Sequence, residues 1–129
     1  MTEPYRHTIR IRYGECDMQR VVFNANYLVY CDDACEMWFR STGLRLGDAD
    51  WDFMTKKAVV EWDGPATAGE TIDIDVHASR WGNTSFDVTF EGSVEARPVF
   101  TCVITYVGVR LGTSDPMAPP PEVRTALGG

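Results

Sequence analysis

One stretch of this chain, and no other, carries a long helical period. Tyr27, Tyr30, Cys31, Ala34, Cys35, Trp38 and Phe39 recur at spacings of three and four and make a continuous apolar stripe. Asp32, Asp33, Glu36 and Arg40 fall mostly away from it. Asn24 reads as an N-cap and Gly43 as a stop. A helix from Asn24 to Thr42 would be about 28 Å long at the standard rise per residue. A lone amphipathic helix must bury its stripe against something, and the rest of the chain offers strands.

Before the helix, Tyr5, His7, Ile9, Ile11 and Tyr13 alternate with Arg6, Thr8, Arg10 and Arg12, the period of a half-buried strand. Gly14 interrupts it, and residues 15–20 read as a loop. Beyond the helix, Leu44 to Lys57 reads as an irregular segment with a short helical turn. Ala58 to Trp62 is a short strand ended by Asp63-Gly64-Pro65. Thr71 to Trp81 alternates, Gly82-Asn83 is a hairpin turn, and Phe86, Val88 and Phe90 alternate again. A turn near Arg97-Pro98 leads into Val99 to Arg110, which is apolar on both faces and so expects cover on both. Residues 113–129 form an extended tail, with a helical turn over Glu122 to Leu127.

No linker or repeat divides residues 1–129, so the expectation is one α+β domain, an antiparallel sheet of about five strands with one long helix. One helix covers one face of a sheet. The two-sided last strand therefore predicts a second subunit, in a dimer or a dimer of dimers.

The net charge of −7 argues against a nucleic-acid or anionic-membrane binder. No run approaches the length of a membrane span, and Met1 to Arg6 lack the apolar core of a signal peptide, so the expected location is cytoplasmic. Cys16, Cys31, Cys35 and Cys102 read as small buried hydrophobes. Cys31 and Cys35 lie four apart, but His7 and His77 are far off in sequence, and no metal or other cofactor is expected.

The segment Tyr13-Gly14-Glu15-Cys16-Asp17-Met18-Gln19-Arg20-Val21-Val22-Phe23-Asn24-Ala25-Asn26-Tyr27 resembles the 4-hydroxybenzoyl-CoA thioesterase family and its YbgC-like relatives. Their signature is an aspartate after a strand, followed by small or apolar residues and an Asn/Ser-Tyr pair at a helix start. The resemblance runs on through Trp62-Asp63-Gly64-Pro65 and Gly69-Glu70 into the last strand. It implies a hotdog fold, a sheet wrapped around a long helix, with hotdogs paired into dimers that often form tetramers and active sites at subunit interfaces.

It also implies an acyl-CoA thioesterase. Thioester hydrolysis needs an oxygen nucleophile and stabilisation of the charge developing on the carbonyl oxygen. By resemblance Asp17 supplies the first, as nucleophile or as general base on water. Unpaired amides near Asn24 and Ala25, at the positive end of the helix, supply the second. Family members often carry Tyr or His where Asn24 stands, which leaves its side-chain role open. Glu15 ranks well behind Asp17 as the base, and Cys16 has no histidine near it in sequence to activate it.

Tyr27, Tyr30, Trp51, Phe53 and Met54 are the expected acyl-pocket lining. Relatives carry a basic cluster before a Ser-Phe pair that meets the CoA phosphates; here, in Arg80-Trp81-Gly82-Asn83-Thr84-Ser85-Phe86, only Arg80 is charged. Arg80 and Ser85 are the candidates, with Arg110 or Lys56-Lys57 as possible substitutes. That departure keeps acyl carrier protein thioesters open as substrates. A non-catalytic acyl-CoA-binding hotdog is the reading from a different class, and Asp17 within its motif favours catalysis over it. His7 and His77, both on predicted strands, weaken a hotdog dehydratase, which would want a histidine as acid and base.

Overall fold

The structure is a computed structural model that describes residues 3–129, with residues 46 and 48 by backbone alone; Met1 and Thr2, read above for leader character, lie outside it. In chain order, β1 (Tyr5–Arg10) leads through a 3-10 turn at Tyr13–Glu15 to α1 (Asn26–Ser41), and a second turn at Leu46–Ala49 leads to β2 (Trp51–Trp62). Then come β3 (Thr71–Trp81), β4 (Ser85–Val94), β5 (Arg97–Arg110) and α2 (Pro121–Ala126). The strands form one antiparallel sheet in the order β1-β3-β4-β5-β2. This is the expected α+β arrangement.

All seven stripe residues of α1 are buried. They meet the inner face of the sheet: Ile72, Ile74 and Val76 of β3, Phe86, Val88 and Phe90 of β4, and Phe100, Cys102, Ile104 and Tyr106 of β5. Period two puts Asp73, Asp75, Asp87, Thr89 and Glu91 on the other face. There Thr101, Val103, Thr105 and Val107 of β5 are half-buried, and Val109 is covered by a bridge to Pro116. The tail does more than trail away: α2 sends Val123 into the core and lays Arg124 over the Trp81 ring at 5.2 Å, and Leu127, just past the helix end, joins the core.

Four boundaries differ from the sequence reading, each for a local reason. β1 ends at Arg10, because the Ile11 amide and carbonyl bond to Glu70 and Gly69 of a loop, which leaves Tyr13 exposed. β2 already begins at Trp51, so half of the stretch read as irregular is strand. Its alternation is spoiled by a register shift between Thr55 and Lys57 and by its place at the sheet edge.

The helix starts at Asn26 rather than Asn24, with Ala25 as the N-cap and no side-chain cap. Its first amides bond three residues back, Asn26 to Phe23 (2.9 Å), Tyr27 to Asn24 (3.3 Å) and Leu28 to Ala25 (3.2 Å), so a tight turn replaces an N-cap side chain. The helix stops as expected, with Gly43 at φ +81°.

The last hairpin turns at Glu95-Ala96, with both residues at positive φ (49° and 66°), a two-residue turn that normally takes Asn-Gly. Neither residue type announces such a turn. Replacing the pair, Glu95→Asn with Ala96→Gly, should stabilise the protein by about 1 kcal/mol by relieving left-handed strain. Thermal denaturation would read this as a midpoint about 3–4 °C higher.

Candidate active site

The loop after β1 is held from several sides. Cys16 bridges to Val22, the Asp17 amide donates to the Val21 carbonyl (2.9 Å), and the Arg20 amide donates to the Asp17 carbonyl (2.9 Å). The Val22 amide bonds to Ala66 and the Thr67 hydroxyl to the Arg20 carbonyl, so the β2–β3 connection buttresses the turn. Asp17 is half-buried, and its Oδ1 accepts the Gln19 amide at 2.8 Å. Among the described residues its Oδ2 accepts no hydrogen bond. A cleft of about 430 Å³ opens beside it, lined by Tyr13, Cys16, Asp17, Met18, Arg20 and Thr67 among others.

The Glu15 carbonyl joins this loop to the start of α1. It accepts both the Phe23 amide (3.0 Å) and the Asn26 side-chain amide (2.8 Å). Among the described residues the Asn24 and Ala25 amides donate to no acceptor, and both residues are exposed at the positive end of a 16-residue helix. A carboxylate with one oxygen unengaged and two unpaired amides therefore share one braced unit.

The Glu15 side chain is committed to structure. Its Oε1 accepts the Arg12 amide (2.8 Å) and the Tyr30 hydroxyl (2.9 Å), and its Oε2 accepts the Arg12 guanidinium (2.7 Å). Burial pushes its carboxyl pKa up, but the bonds from Arg12 and Tyr30 outweigh burial and hold it below the usual range. Asp75 beside Arg6 and Asp87 beside Arg80 are also held low.

A depressed carboxyl stabilises the fold above the unfolded-state pKa, about 4, and loses that contribution as pH falls through the folded value. Asp32, raised by burial, works weakly in the opposite direction. Melting temperature should therefore hold from pH 7 to about 5 and fall below about 4. Glu15→Gln should lower the pH 7 plateau and shallow the acid slope in a thermal-denaturation series.

Residues 11–127 match the model of the thioesterase-like superfamily. The chain belongs to the thioesterase-like superfamily. No curated protein sequence matches it. Among solved structures, this thioesterase-like chain is similar to a 1,4-dihydroxy-2-naphthoyl-CoA thioesterase from Synechocystis, with 19% identity, 95% of this chain and 94% of that chain covered, and a TM-score of 0.85. A gentisyl-coenzyme A thioesterase matches at 19% identity over 95% of this chain and 99% of its own, with a TM-score of 0.85. A thioesterase-superfamily protein from Jannaschia sp. gives 15% identity, coverage of 96% and 90%, and a TM-score of 0.89. At such identities these likenesses establish the hotdog fold.

The other candidate residues of this thioesterase-like chain are dispersed. Tyr27 and Tyr30 lie in the core just inside the helix start, with Tyr27 against Phe100 (4.9 Å) and Trp62 (5.9 Å). Trp51 is fully buried and donates from Nε1 to the Met117 carbonyl (3.2 Å). Phe53 stacks on Trp51 at 5.7 Å and lines a separate cavity, whereas Met54, next along β2, is half exposed. Arg80 and Ser85 do meet, at 3.1 Å, but the Arg80 guanidinium is engaged by Asp87 at 2.9 Å. Arg110 pairs with Asp50 at 3.6 Å.

Two site features escaped the sequence reading. Asn26, not Asn24, ties the helix start to the Asp17 loop, and no spacing rule predicts a bond across eleven residues of loop. The second is a cavity of about 940 Å³ between the C-terminal half of α1 and β2, which shares no lining residue with the Asp17 cleft.

Proposed function

We propose that this thioesterase-like protein hydrolyses acyl-CoA thioesters to the free acid and CoA, with Asp17 as the reacting carboxylate and the Asn24 and Ala25 amides as the oxyanion hole. The observation that carries this reading is the bracing of Asp17 against the start of α1 through the Glu15 carbonyl. Hydrolysis adds one water across the C–S bond: the carbonyl carbon gains oxygen, and the sulfur leaves with a proton. Asp17 begins this either by attacking the carbonyl, to give an anhydride that water opens, or by taking the proton from the attacking water. In both routes the helix-start amides receive the charge that grows on the carbonyl oxygen.

The names of the structural neighbours, CoA thioesterases for two bulky aromatic acids, support CoA as the leaving group. The engagement of Arg80 by Asp87 favours a second reading, a carrier-protein thioester in which the nucleotide end is not gripped at that hairpin.

The active unit in this reading is a homo-oligomer, a dimer or a dimer of dimers. Exposed Tyr13, Met18 and Phe23 surround the Asp17 loop, and β2 leaves twelve residues at an open sheet edge that includes exposed Val59. No helix of the described residues is long and apolar enough to cross a membrane, and the reading places the enzyme in the cytoplasm. The test is thiol release from short, long and aromatic acyl-CoAs and from acyl carrier protein. Tight acyl-CoA binding without thiol release would replace the enzyme with a sensor.

A further inference from the structure

The Asp17 loop contains a strained residue that the proposed chemistry does not use. The Asp17 amide bonds to the Val21 carbonyl, and Cys16 bridges to Val22 below it, so Met18, Gln19 and Arg20 form a three-residue hairpin loop. Its last residue is left-handed, with Arg20 at φ 66°. Such a loop normally sets glycine at that position, because a Cβ resists left-handed backbone. The strain is held from two sides. The Arg20 amide donates to the Asp17 carbonyl (2.9 Å), and the Arg20 carbonyl accepts the Thr67 hydroxyl (2.7 Å).

Arg20 is exposed and lines the same cleft as Asp17. Among the described residues that line it, these two alone are charged. Arg20 enters no ion pair among the described residues, whereas Arg12 is paired with Glu15 at 2.7 Å and Arg97 with Glu70 at 3.3 Å. A strained position beside a reacting group points to a function that the strain serves. An uncommitted guanidinium offers a planar fork of donors that matches a carboxylate.

We propose that Arg20 selects acyl groups carrying a second, free carboxylate, so that the substrate is the monothioester of a dicarboxylic acid. The thioester in this statement rests on the reading above; the free carboxylate rests on Arg20 alone. Asp17 and Arg20 end a four-residue turn, which holds their Cα atoms within about 7 Å of each other. The CoA phosphates lie at the far end of the pantetheine arm, out of range of a side chain so close to the reacting carboxylate. Asp17 repels the substrate's free carboxylate, so that group seats at Arg20, several carbons from the thioester.

The test is titration calorimetry with two non-hydrolysable thioethers, S-(5-carboxypentyl)-CoA and S-hexyl-CoA, which needs no turnover. The wild type should bind the carboxylated thioether about tenfold more tightly, the gain of one charge-assisted pair. Arg20→Gly should erase the preference while melting no lower than wild type, because glycine takes the left-handed backbone without strain. Arg20→Gln, which keeps the strain and removes the charge, should erase it too. Equal binding of the two thioethers by the wild type, or a preference that survives in either variant, would overturn the proposal. So would an equal loss of affinity for both thioethers in the variants, which would place the guanidinium on the CoA phosphates. A large fall in the melting temperature of Arg20→Gly would also overturn it, by showing that the guanidinium has a structural partner. The carboxylate preference without thiol release from adipyl-CoA would leave the role of Arg20 standing and remove the hydrolase; thiol release without the preference would do the reverse.

Discussion

Asp17→Asn should lower kcat for acyl-CoA hydrolysis by about a thousandfold while leaving the melting temperature and far-UV spectrum at wild-type values. Stability is expected to survive because the one side-chain bond that Asp17 makes among the described residues, from the Gln19 amide to Oδ1, can be accepted equally well by the asparagine carbonyl. The loop is held otherwise by backbone bonds to Val21, Arg20 and Ala66 and by the bridge from Cys16 to Val22. What the substitution removes is the anionic oxygen that accepts no bond among the described residues. An amide neither attacks a thioester nor takes a proton from water at neutral pH.

Binding of the CoA thioester should change little, so the loss should appear in kcat rather than KM. Wild-type turnover in the mutant would end the assignment. Single-turnover hydrolysis in ¹⁸O-labelled water then tests for direct attack. Label entering the Asp17 carboxylate marks an anhydride opened at the aspartyl carbon, whereas label confined to the product acid fits a general base or an anhydride opened at its acyl carbon.

The elements legible in the sequence were those in which burial alone sets the pattern. Tyr27, Tyr30, Cys31, Ala34, Cys35, Trp38 and Phe39 face one sheet, and every one is buried, because a single amphipathic helix has only one way to satisfy its period. The central strands read equally well, since each puts one face on that helix. β2 read poorly because an edge strand is exposed on much of both faces and carries a register shift near Lys56, so no period survives. The Glu95-Ala96 turn was invisible because its left-handed backbone is imposed by the strands on either side and not by its residues.

At the candidate site the limit was of a different kind. The motif pointed to Asp17, and the helix start fell within two residues of the expected place. The bonds that unite them, from Phe23 and Asn26 to the Glu15 carbonyl, involve a backbone oxygen that no side-chain pattern encodes. Glu15 itself looked like a competing base and is instead a fully bonded strut. The cavity between α1 and β2 is likewise a product of packing: its lining residues alternate along their elements like any others, and only the gap between the two elements reveals it.

A large stability loss is expected of a single added methyl group at Gly108. Gly108 sits in β5 opposite Phe53, donating its amide to the Thr84 carbonyl (2.7 Å) and accepting the Met117 amide (2.8 Å). A Cβ there would press into the Met117 carbonyl and the Trp51 indole. Neither can yield cheaply. Trp51 is fully buried, stacked on Phe53, and bonded through Nε1 to that same Met117 carbonyl at 3.2 Å. Relief would require the strap through Met117 to lift, breaking its bond to Gly108 and leaving the indole N–H buried without an acceptor.

Gly108→Ala should therefore cost about 3 kcal/mol, or roughly a 10 °C fall in melting temperature for a chain of this size. Gly14→Ala is the control, because a Cβ there meets nothing within 4 Å and the stability should be unchanged. Wild-type melting of Gly108→Ala would show that the strap does not lie against β5, and the closed end of the core would need a different account.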